Sequence, residues 1–265
     1  MSRITETFNQ LKKKNEKALI PYITAGDPNL ETTEKLIQCL ISNGADMLEI
    51  GVPFSDPMAD GPTIQEASQR ALENSFSLTA ILNLIRKVRN YSSIPIILFG
   101  YFNPFLQYGL HDLCRDAKDA GVDGFLVVDL PPEEAGTLKK EAETVDIDTI
   151  FLLAPTSTDE RIKRVASIGT GFLYFVSVTG VTGARQALST MIKDYVIKIR
   201  KVTKMPIGIG FGISKPEHVR EIAGYADAVI VGSAIIKIVE SHLGKNDMLE
   251  RVGEFVRSLK NETVL

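Results

Sequence analysis

The chain of 265 residues has no tryptophan, only two cysteines and only three histidines. Cys39 and Cys114 both fall in segments with helical patterning and have no metal-type neighbours. This favours reduced thiols over a disulfide framework. The histidines also lie in helical stretches, without the i, i+4 pair or the His/Cys cluster of a metal site. We therefore expect neither a disulfide scaffold nor a metal centre.

A basic surface and a long apolar run are also missing. The 30 Lys and Arg residues face 33 Asp and Glu residues, which gives a formal net charge of −3 and a pI near 5.7. This balance argues against a protein that binds nucleic acid or a membrane surface. The apolar runs are shorter than the roughly 18 residues of a membrane helix, and residues 1–15 lack a signal-peptide segment. The sequence predicts a soluble cytoplasmic protein.

What the chain does contain is a repeated unit, a short apolar segment followed by a helical pattern. The predicted strands are residues 19–24, 46–51, 95–100, 123–129, 148–154, 171–177, 206–210 and 227–232. Near-continuous apolar runs are typical of parallel strands that are covered by helices. We predict one α/β domain over residues 1–265, a (β/α)₈ TIM barrel. A doubly wound sheet is the alternative, but no linker marks its topological break.

Two additions to the basic barrel are predicted. Residues Arg3–Lys14 carry Ile4, Phe8 and Leu11 on one face, which indicates an extra N-terminal helix over one end of the barrel. After strand 2, a loop rich in Pro, Asp and Gly precedes an extra helix at about residues 62–73. The connections after strands 2 and 6 are the longest. Because the loops that follow the strands form the active-site face of such barrels, we expect function there.

Glu49 is the first candidate for chemistry. Side chains alternate along a strand, so Met47 and Glu49 point into the barrel if Leu48 and Ile50 face the helices. A carboxylate in an apolar interior is costly to ionise, so its pKa should rise toward neutrality, which suits a general acid or base. The alternative is a structural carboxylate that is held by backbone donors.

Further candidates lie at the ends of other strands. Asp56 and Asp60 follow strand 2; each could be a turn residue, but together with Glu49 they offer paired carboxylates for one cleft. Glycine-rich segments at residues 180–184, 210–214 and 232–234 could present backbone N–H groups to a phosphate. The absence of lysine at the predicted strand ends disfavours a Schiff-base aldolase. Aromatic residues near the ends of strands 1 and 3 could line a pocket or fill the barrel, whereas Tyr174, inside strand 6, is of a kind more often found in the core than in catalysis.

Five segments together resemble the tryptophan synthase alpha chain family, in order along nearly the whole chain. They are IPYITAGDP (20–28), DMLEIGVPFSDPMADGPTIQ (46–65), VSVTGVTGAR (176–185), PIGIGFGIS (206–214) and ADAVIVGSAI (226–235). The second is specific to the family, whereas the glycine segments are shared among phosphate-binding barrels. The resemblance implies a lyase of tryptophan biosynthesis that cleaves indole-3-glycerol phosphate to indole and glyceraldehyde 3-phosphate.

The resemblance also assigns residues. Glu49 would protonate indole C3 and then take the proton of the glyceryl hydroxyl, Asp60 would stabilise the indole N–H, and Tyr174 would support Glu49. The phosphate-binding positions are Gly183, Phe211, Gly212, Ile213, Gly232 and Ser233. The positions around the indole are Tyr22, Ile64, Phe99, Tyr101 and Phe211. Closure of residues 178–190 over the cleft is a further expectation, prompted by their length and glycine content.

The family works with a partner, a PLP-dependent beta chain, as an α₂β₂ heterotetramer, and the resemblance implies no cofactor in this chain. The partner-facing positions are Asp56, Pro57 and Asn103, together with exposed aromatic side chains expected in a loop at residues 103–108, namely Phe102, Phe105 and Tyr108. Three alternatives stay open: a stand-alone indole-releasing lyase, another phosphate-sugar barrel enzyme, and a non-catalytic phosphate-binding subunit.

Overall fold

Eight parallel strands form a closed barrel, in which each strand pairs with the next and β8 pairs with β1. The computed structural model describes residues 1–74, 77–176, 185–210 and 212–264, with only the backbone for residues 185–189. The strands are β1 Ala18–Thr24, β2 Leu48–Gly51, β3 Ile96–Gly100, β4 Gly124–Val127, β5 Asp148–Leu153, β6 Leu173–Val176, β7 Ile207–Gly210 and β8 Ala228–Val231. The predicted TIM barrel is confirmed, and ring closure excludes the doubly wound sheet.

Helices surround this barrel. They are α1 Arg3–Lys14, α2 Leu30–Ser42, α3 Pro62–Leu72, α4 Leu78–Arg89, α5 Phe102–Tyr108, α6 Leu110–Ala120, α7 Gly136–Thr144, α8 Asp159–Ile168, α9 Arg185–Arg200, α10 Pro216–Ala223, α11 Ser233–Ser241 and α12 Met248–Lys260, followed by a 3₁₀ turn, Asn261–Thr263. The predicted extra helices are α1 and α3. None of the helices in the described part of the chain is long and apolar enough to cross a membrane.

The strands separate two apolar cores, as their alternation predicts. Leu48 and Ile50 belong to the large core between the strands and the outer helices. Met47 belongs to the smaller core inside the barrel, and Glu49, two residues further along the same face, is also fully buried. Since β2 pairs with β1 and β3, the register sets Glu49 beside Tyr22 on one side and Ile97 on the other. The period-two pattern therefore fixes the direction of the carboxylate.

Helix α1 closes the N-terminal end of the barrel. Ile4, Phe8 and Leu11 are buried in the inner core, where Phe8 makes an edge contact with Phe172 at 5.8 Å between ring centroids. Ser2 caps the helix by accepting a hydrogen bond from the Thr5 amide at 3.3 Å, a contact that typically contributes about 1 kcal/mol. The C-terminal end of the barrel is thus the end that is left for a site.

One expectation about the segment after β3 is wrong. Residues 102–108 form the helix α5 rather than a loop, and Phe105 is fully buried against Phe125 instead of being exposed. Phe102 and Tyr108 are only partly exposed and pack against the outer core. The spacing of three residues between these aromatic side chains is that of one helix face, which packs inward because burial of the rings is favourable.

Candidate active site

A cavity of about 510 Å³ lies at the C-terminal end of the barrel. Ten of the predicted site residues line it: Tyr22, Glu49, Asp60, Ile64, Phe99, Tyr174, Gly212, Ile213, Gly232 and Ser233. They come from strands β1, β2, β3 and β6 and from the segments after β2, β7 and β8. Most of the lining is apolar, and it also includes the carboxyl groups of Glu49 and Asp60 and the glycine-rich segments after β7 and β8. This is the composition of a site for a largely apolar ligand that carries one polar group.

Glu49 is fully buried, and neither of its carboxyl oxygens has a hydrogen-bond partner within the described residues. The structural alternative, a carboxylate that is held by backbone donors, is therefore not what the described residues show. Burial without compensating donors disfavours the charged form and raises the pKa of Glu49 to about 8. A carboxyl group of this kind is mostly protonated at neutral pH and can deliver a proton into the cavity.

Asp60 is held differently. Burial raises its pKa to about 6, while a hydrogen bond from the Tyr101 hydroxyl opposes that rise. The same hydroxyl accepts a hydrogen bond from the Ala59 amide at 2.9 Å, which leaves its proton free to be donated to the carboxylate. Asp60 is therefore mostly ionised at pH 7, whereas Glu49 is mostly neutral. One cavity thus holds a proton donor and an anion, which is the division of work that paired carboxylates allow.

Two tyrosines fill the space between the strands at this level. A Cβ on Gly51 would lie 2.1 Å from the Tyr22 hydroxyl oxygen, and a Cβ on Gly210 would lie 2.2 Å from that of Tyr174. Glycine at these strand positions therefore makes room for the rings. Burial is the main cause that raises the pKa of both hydroxyls, so both remain protonated. For Tyr174 the nearby charge of Glu49 adds to the rise, although no hydrogen bond joins these two side chains.

The segments after β7 and β8 bring glycine-rich backbone to the cavity. Gly212 has φ +71°, a left-handed backbone conformation that residues with a side chain rarely adopt. Its lack of a side chain lets the backbone at Gly212 and Ile213 face the cavity. Gly232 precedes α11, and Ser233 is the first residue of that helix. The first amides of a helix have no acceptor within it and lie at the positive end of its dipole. This part of the lining therefore suits an anionic group.

Ser214 and Ala234, within the predicted glycine-rich segments, also line the cavity, whereas five lining residues were missed by the sequence reasoning: Gly61, Ile230, Lys237, Ile238 and Phe255. Lys237 lies four residues after Ser233, so helical spacing from the predicted phosphate position could have found it. Phe255 lies on α12, far along the chain, and no local signal indicates that it reaches the cavity.

The remaining predicted positions lie elsewhere. Tyr101 contacts Asp60 without lining the cavity itself. Asp56 and Asn103 are exposed, and Pro57 is partly exposed. Gly183 and Phe211, together with most of the 178–190 segment, lie outside the described residues. Within the part of the chain that is described, no group of His, Cys, Asp and Glu side chains is arranged to hold a metal ion.

Comparison with known proteins decides the family. The sequence profile of the tryptophan synthase alpha chain matches residues 8–264. A tryptophan synthase alpha chain from Geotalea uraniireducens (strain Rf4) is 54% identical over 260 residues, which are 98% of this chain and 97% of that protein. The chain belongs to the tryptophan synthase alpha chain family. It therefore has the alpha subunit's role in tryptophan biosynthesis and catalyses the aldol-cleavage half-reaction of tryptophan synthase, as the sequence predicted.

Solved structures agree with this assignment. The crystal structure of tryptophan synthase subunit alpha from Legionella pneumophila str. Paris superposes with a TM-score of 0.92 at 40% identity, covering 99% of this chain and 98% of that one. A chain of the tryptophan synthase complex from Pyrococcus furiosus superposes with a TM-score of 0.84 at 36% identity, covering 93% of this chain and 99% of that one. The family fold thus extends over nearly the entire length.

Proposed function

We propose that the cavity cleaves indole-3-glycerol phosphate to indole and glyceraldehyde 3-phosphate, with Glu49 as the acid and base and Asp60 as the stabilising anion. The observation that carries this proposal is the burial of Glu49 without a hydrogen-bond partner among the described residues, in a cavity that glycine-rich backbone also lines. The family activity supplies the reaction class, and the positions of the two carboxyl groups supply the roles.

The raised pKa of Glu49 suits both of its steps. Protonated Glu49 transfers its proton to indole C3, and the positive charge moves to the indole nitrogen. The carboxylate that results then takes the proton of the glyceryl hydroxyl next to the bond that breaks. As the C–C bond cleaves, its electron pair returns to the indole ring and the hydroxyl carbon becomes the aldehyde. The proton that Glu49 gave is thereby recovered, and a pKa near the working pH favours both directions.

Asp60 and the tyrosines surround the ring in this arrangement. Because Asp60 is ionised at neutral pH, it can accept the indole N–H hydrogen bond and stabilise the developing charge. Tyr22, Phe99 and Ile64 offer the ring an apolar surface, with Tyr22 and Phe99 already in an edge contact at 5.2 Å. We place Tyr174 as a neutral neighbour that helps to exclude water from Glu49.

We place the phosphate at the glycine-rich segments after β7 and β8, the phosphate end of the cavity, and the indole ring at Tyr22, Ile64 and Phe99, the ring end. The amides at Gly212, Ile213, Gly232 and Ser233 supply donors, and the start of α11 supplies a favourable dipole. Lys237, one turn further along α11, adds a positive charge to the same wall. Binding at this end orients the glyceryl chain toward Glu49, so part of the phosphate binding energy is available for positioning.

We further propose that residues 1–265 act as one domain, in the cytoplasm, and work with a PLP-dependent beta chain in an α₂β₂ assembly. The tryptophan synthase complex from Pyrococcus furiosus, which contains a related chain, supports a partner. The exposed side chains of Asp56, Met58 and Asn103 leave the segments after β2 and β3 available for contact. In that assembly the PLP would belong to the partner.

The test supplies purified chain with indole-3-glycerol phosphate and measures indole release, with and without a beta chain. We expect slow release alone and faster release with the partner. Glu49→Gln should bind the substrate yet lose turnover by about 10²-fold or more, since general acid–base catalysis contributes that much. Normal turnover by Glu49→Gln would refute the role of Glu49. Release that no partner accelerates would instead favour the stand-alone lyase.

A further inference from the structure

A cluster of three charged side chains joins two helices that form the cavity wall. Arg70 lies in the last turn of α3, Asp27 follows β1, and Glu240 lies in the last turn of α11. Arg70 Nε and Nη2 donate to the two carboxylate oxygens of Asp27 at 2.8 and 2.9 Å. Arg70 Nη1 donates to Glu240 Oε1 at 3.0 Å. The guanidinium group of Arg70 therefore connects α3 to the turn after β1 and to α11, although these segments are far apart in sequence.

The two ion pairs of this cluster, Arg70 with Asp27 and Arg70 with Glu240, differ in burial. Asp27 is only 1% exposed, so its paired hydrogen bonds from Arg70 form away from water, where removal of one partner would leave a buried charge. Glu240 is 37% exposed, so its ion pair with Arg70 contributes little to folding. The ion pair between Arg70 and Glu240 can therefore be removed by substitution without loss of the fold.

Other contacts fix α3 against the turn after β1. Gly26 in that turn, with φ +86°, lies so close that a Cβ on it would be 3.3 Å from the Cβ of Ala71. Asn74 Nδ2, just after α3, donates to the carbonyl oxygen of Pro28 at 2.7 Å. On the inner side, Ala67 of α3 is buried in one apolar cluster with Ile236 of α11. Apolar packing thus joins the helices on one side, and the Arg70–Glu240 pair joins them on the other.

Each of these helices contributes to one end of the cavity. Helix α3 begins two residues after Asp60 and carries Ile64, which belongs to the proposed ring end, whereas α11 carries Ser233 and Lys237, which belong to the proposed phosphate end. A substrate that occupies both ends therefore depends on the spacing between α3 and α11, and a wall that must first be ordered to that spacing binds the substrate less tightly.

We propose that Arg70 is a positioning residue, which sets the spacing between the ring end and the phosphate end of the cavity by holding α3 to α11 through Glu240. This inference rests on the proposed function, because only a ligand that occupies both ends is sensitive to that spacing. Arg70 does not itself line the cavity, so it acts through the helices that it connects.

The test compares Glu240→Gln with a matched control, Glu133→Gln. Glu133 accepts a hydrogen bond from Arg161 at 2.7 Å, an exposed ion pair between segments that do not line the cavity. For Glu240→Gln we expect the KM for indole-3-glycerol phosphate to rise about three- to tenfold with a smaller change in kcat, the signature of lost ligand binding. The midpoint of thermal unfolding should shift no more than in the control.

A second pair of variants tests whether the effect passes through Arg70. In an Arg70→Lys background, the lysine cannot span both carboxylates, so adding Glu240→Gln should change KM much less than it does in the native chain. Equal KM values for Glu240→Gln and Glu133→Gln, or additive effects in the double variant, would overturn the inference. If the native chain released no indole from this substrate, the proposed function would fail first, and the inference would fail with it.

Discussion

The buried carboxyl of Glu49 makes the stability of the protein depend on pH in a specific way. Its pKa is raised from 4.5 in the unfolded chain to about 8 in the folded protein, so the folded state binds this proton more tightly. The contribution of Glu49 to the free energy of unfolding is therefore highest below pH 4.5. It falls as pH rises through about 8 and is constant above that pH.

The magnitude follows from the same values. At about 1.4 kcal/mol per pH unit, the contribution of Glu49 to the free energy of unfolding falls by about 3 kcal/mol by pH 7, because the carboxyl ionises in the unfolded chain while it stays protonated in the folded one, and by on the order of 5 kcal/mol above pH 8. Glu49→Gln has no carboxyl to ionise and keeps nearly the same shape. We therefore expect the stability of Glu49→Gln relative to the native chain to increase by about 3 kcal/mol between pH 4.5 and pH 7, and further up to pH 8.

Urea unfolding, measured in steps of about one pH unit from about pH 5 to about pH 9, gives the free energy of unfolding for both proteins across this window. Glu66→Gln, which removes an exposed carboxyl from α3, is the control for a change of charge alone. A stability difference between Glu49→Gln and the native chain that stays constant across this range would refute the reasoning. Such a result would mean that Glu49 ionises in the folded protein as easily as in the unfolded chain.

Two further changes test the surroundings of the carboxyl groups. Tyr101→Phe removes the hydrogen bond to Asp60, so the pKa of Asp60 should rise above about 6 and the acidic limb of the kcat/KM profile should move to higher pH. Gly51→Ala places a Cβ 2.1 Å from the Tyr22 hydroxyl oxygen, so we expect a loss of about 1–3 kcal/mol in stability and a raised KM for indole-3-glycerol phosphate.

Each has a control. For Tyr101→Phe, the control is Tyr91→Phe, which changes an exposed tyrosine that does not line the cavity. An acidic limb that moved equally in both variants would contradict the assigned contact. For Gly51→Ala, the control is Gly136→Ala, where a Cβ would meet nothing within 4 Å. Equal stability of the two alanine variants would show that the space at Gly51 is not needed by Tyr22.

Much of the fold was open to prediction because it depends on local periodicity. Apolar runs and helical stripes recur within short windows, so the eight strands and the extra helices α1 and α3 follow from the sequence. The direction of Glu49 follows in the same way, since alternation leaves only two faces. The segment at residues 102–108 was harder. Its aromatic spacing fits a helix, but only packing against Phe125 decides that Phe105 points inward.

The sequence by itself determined the order of strands and helices, the inward direction of Glu49 and, through its motifs, the family. Only the tertiary structure decided that Glu49 has no partner within the described residues, that Tyr101 holds Asp60, and that Phe255 reaches the cavity. The physical reason is distance along the chain. Arg70 meets Asp27 across 43 residues and Glu240 across 170, and no local pattern encodes such contacts. They arise when ring closure brings the strand ends together.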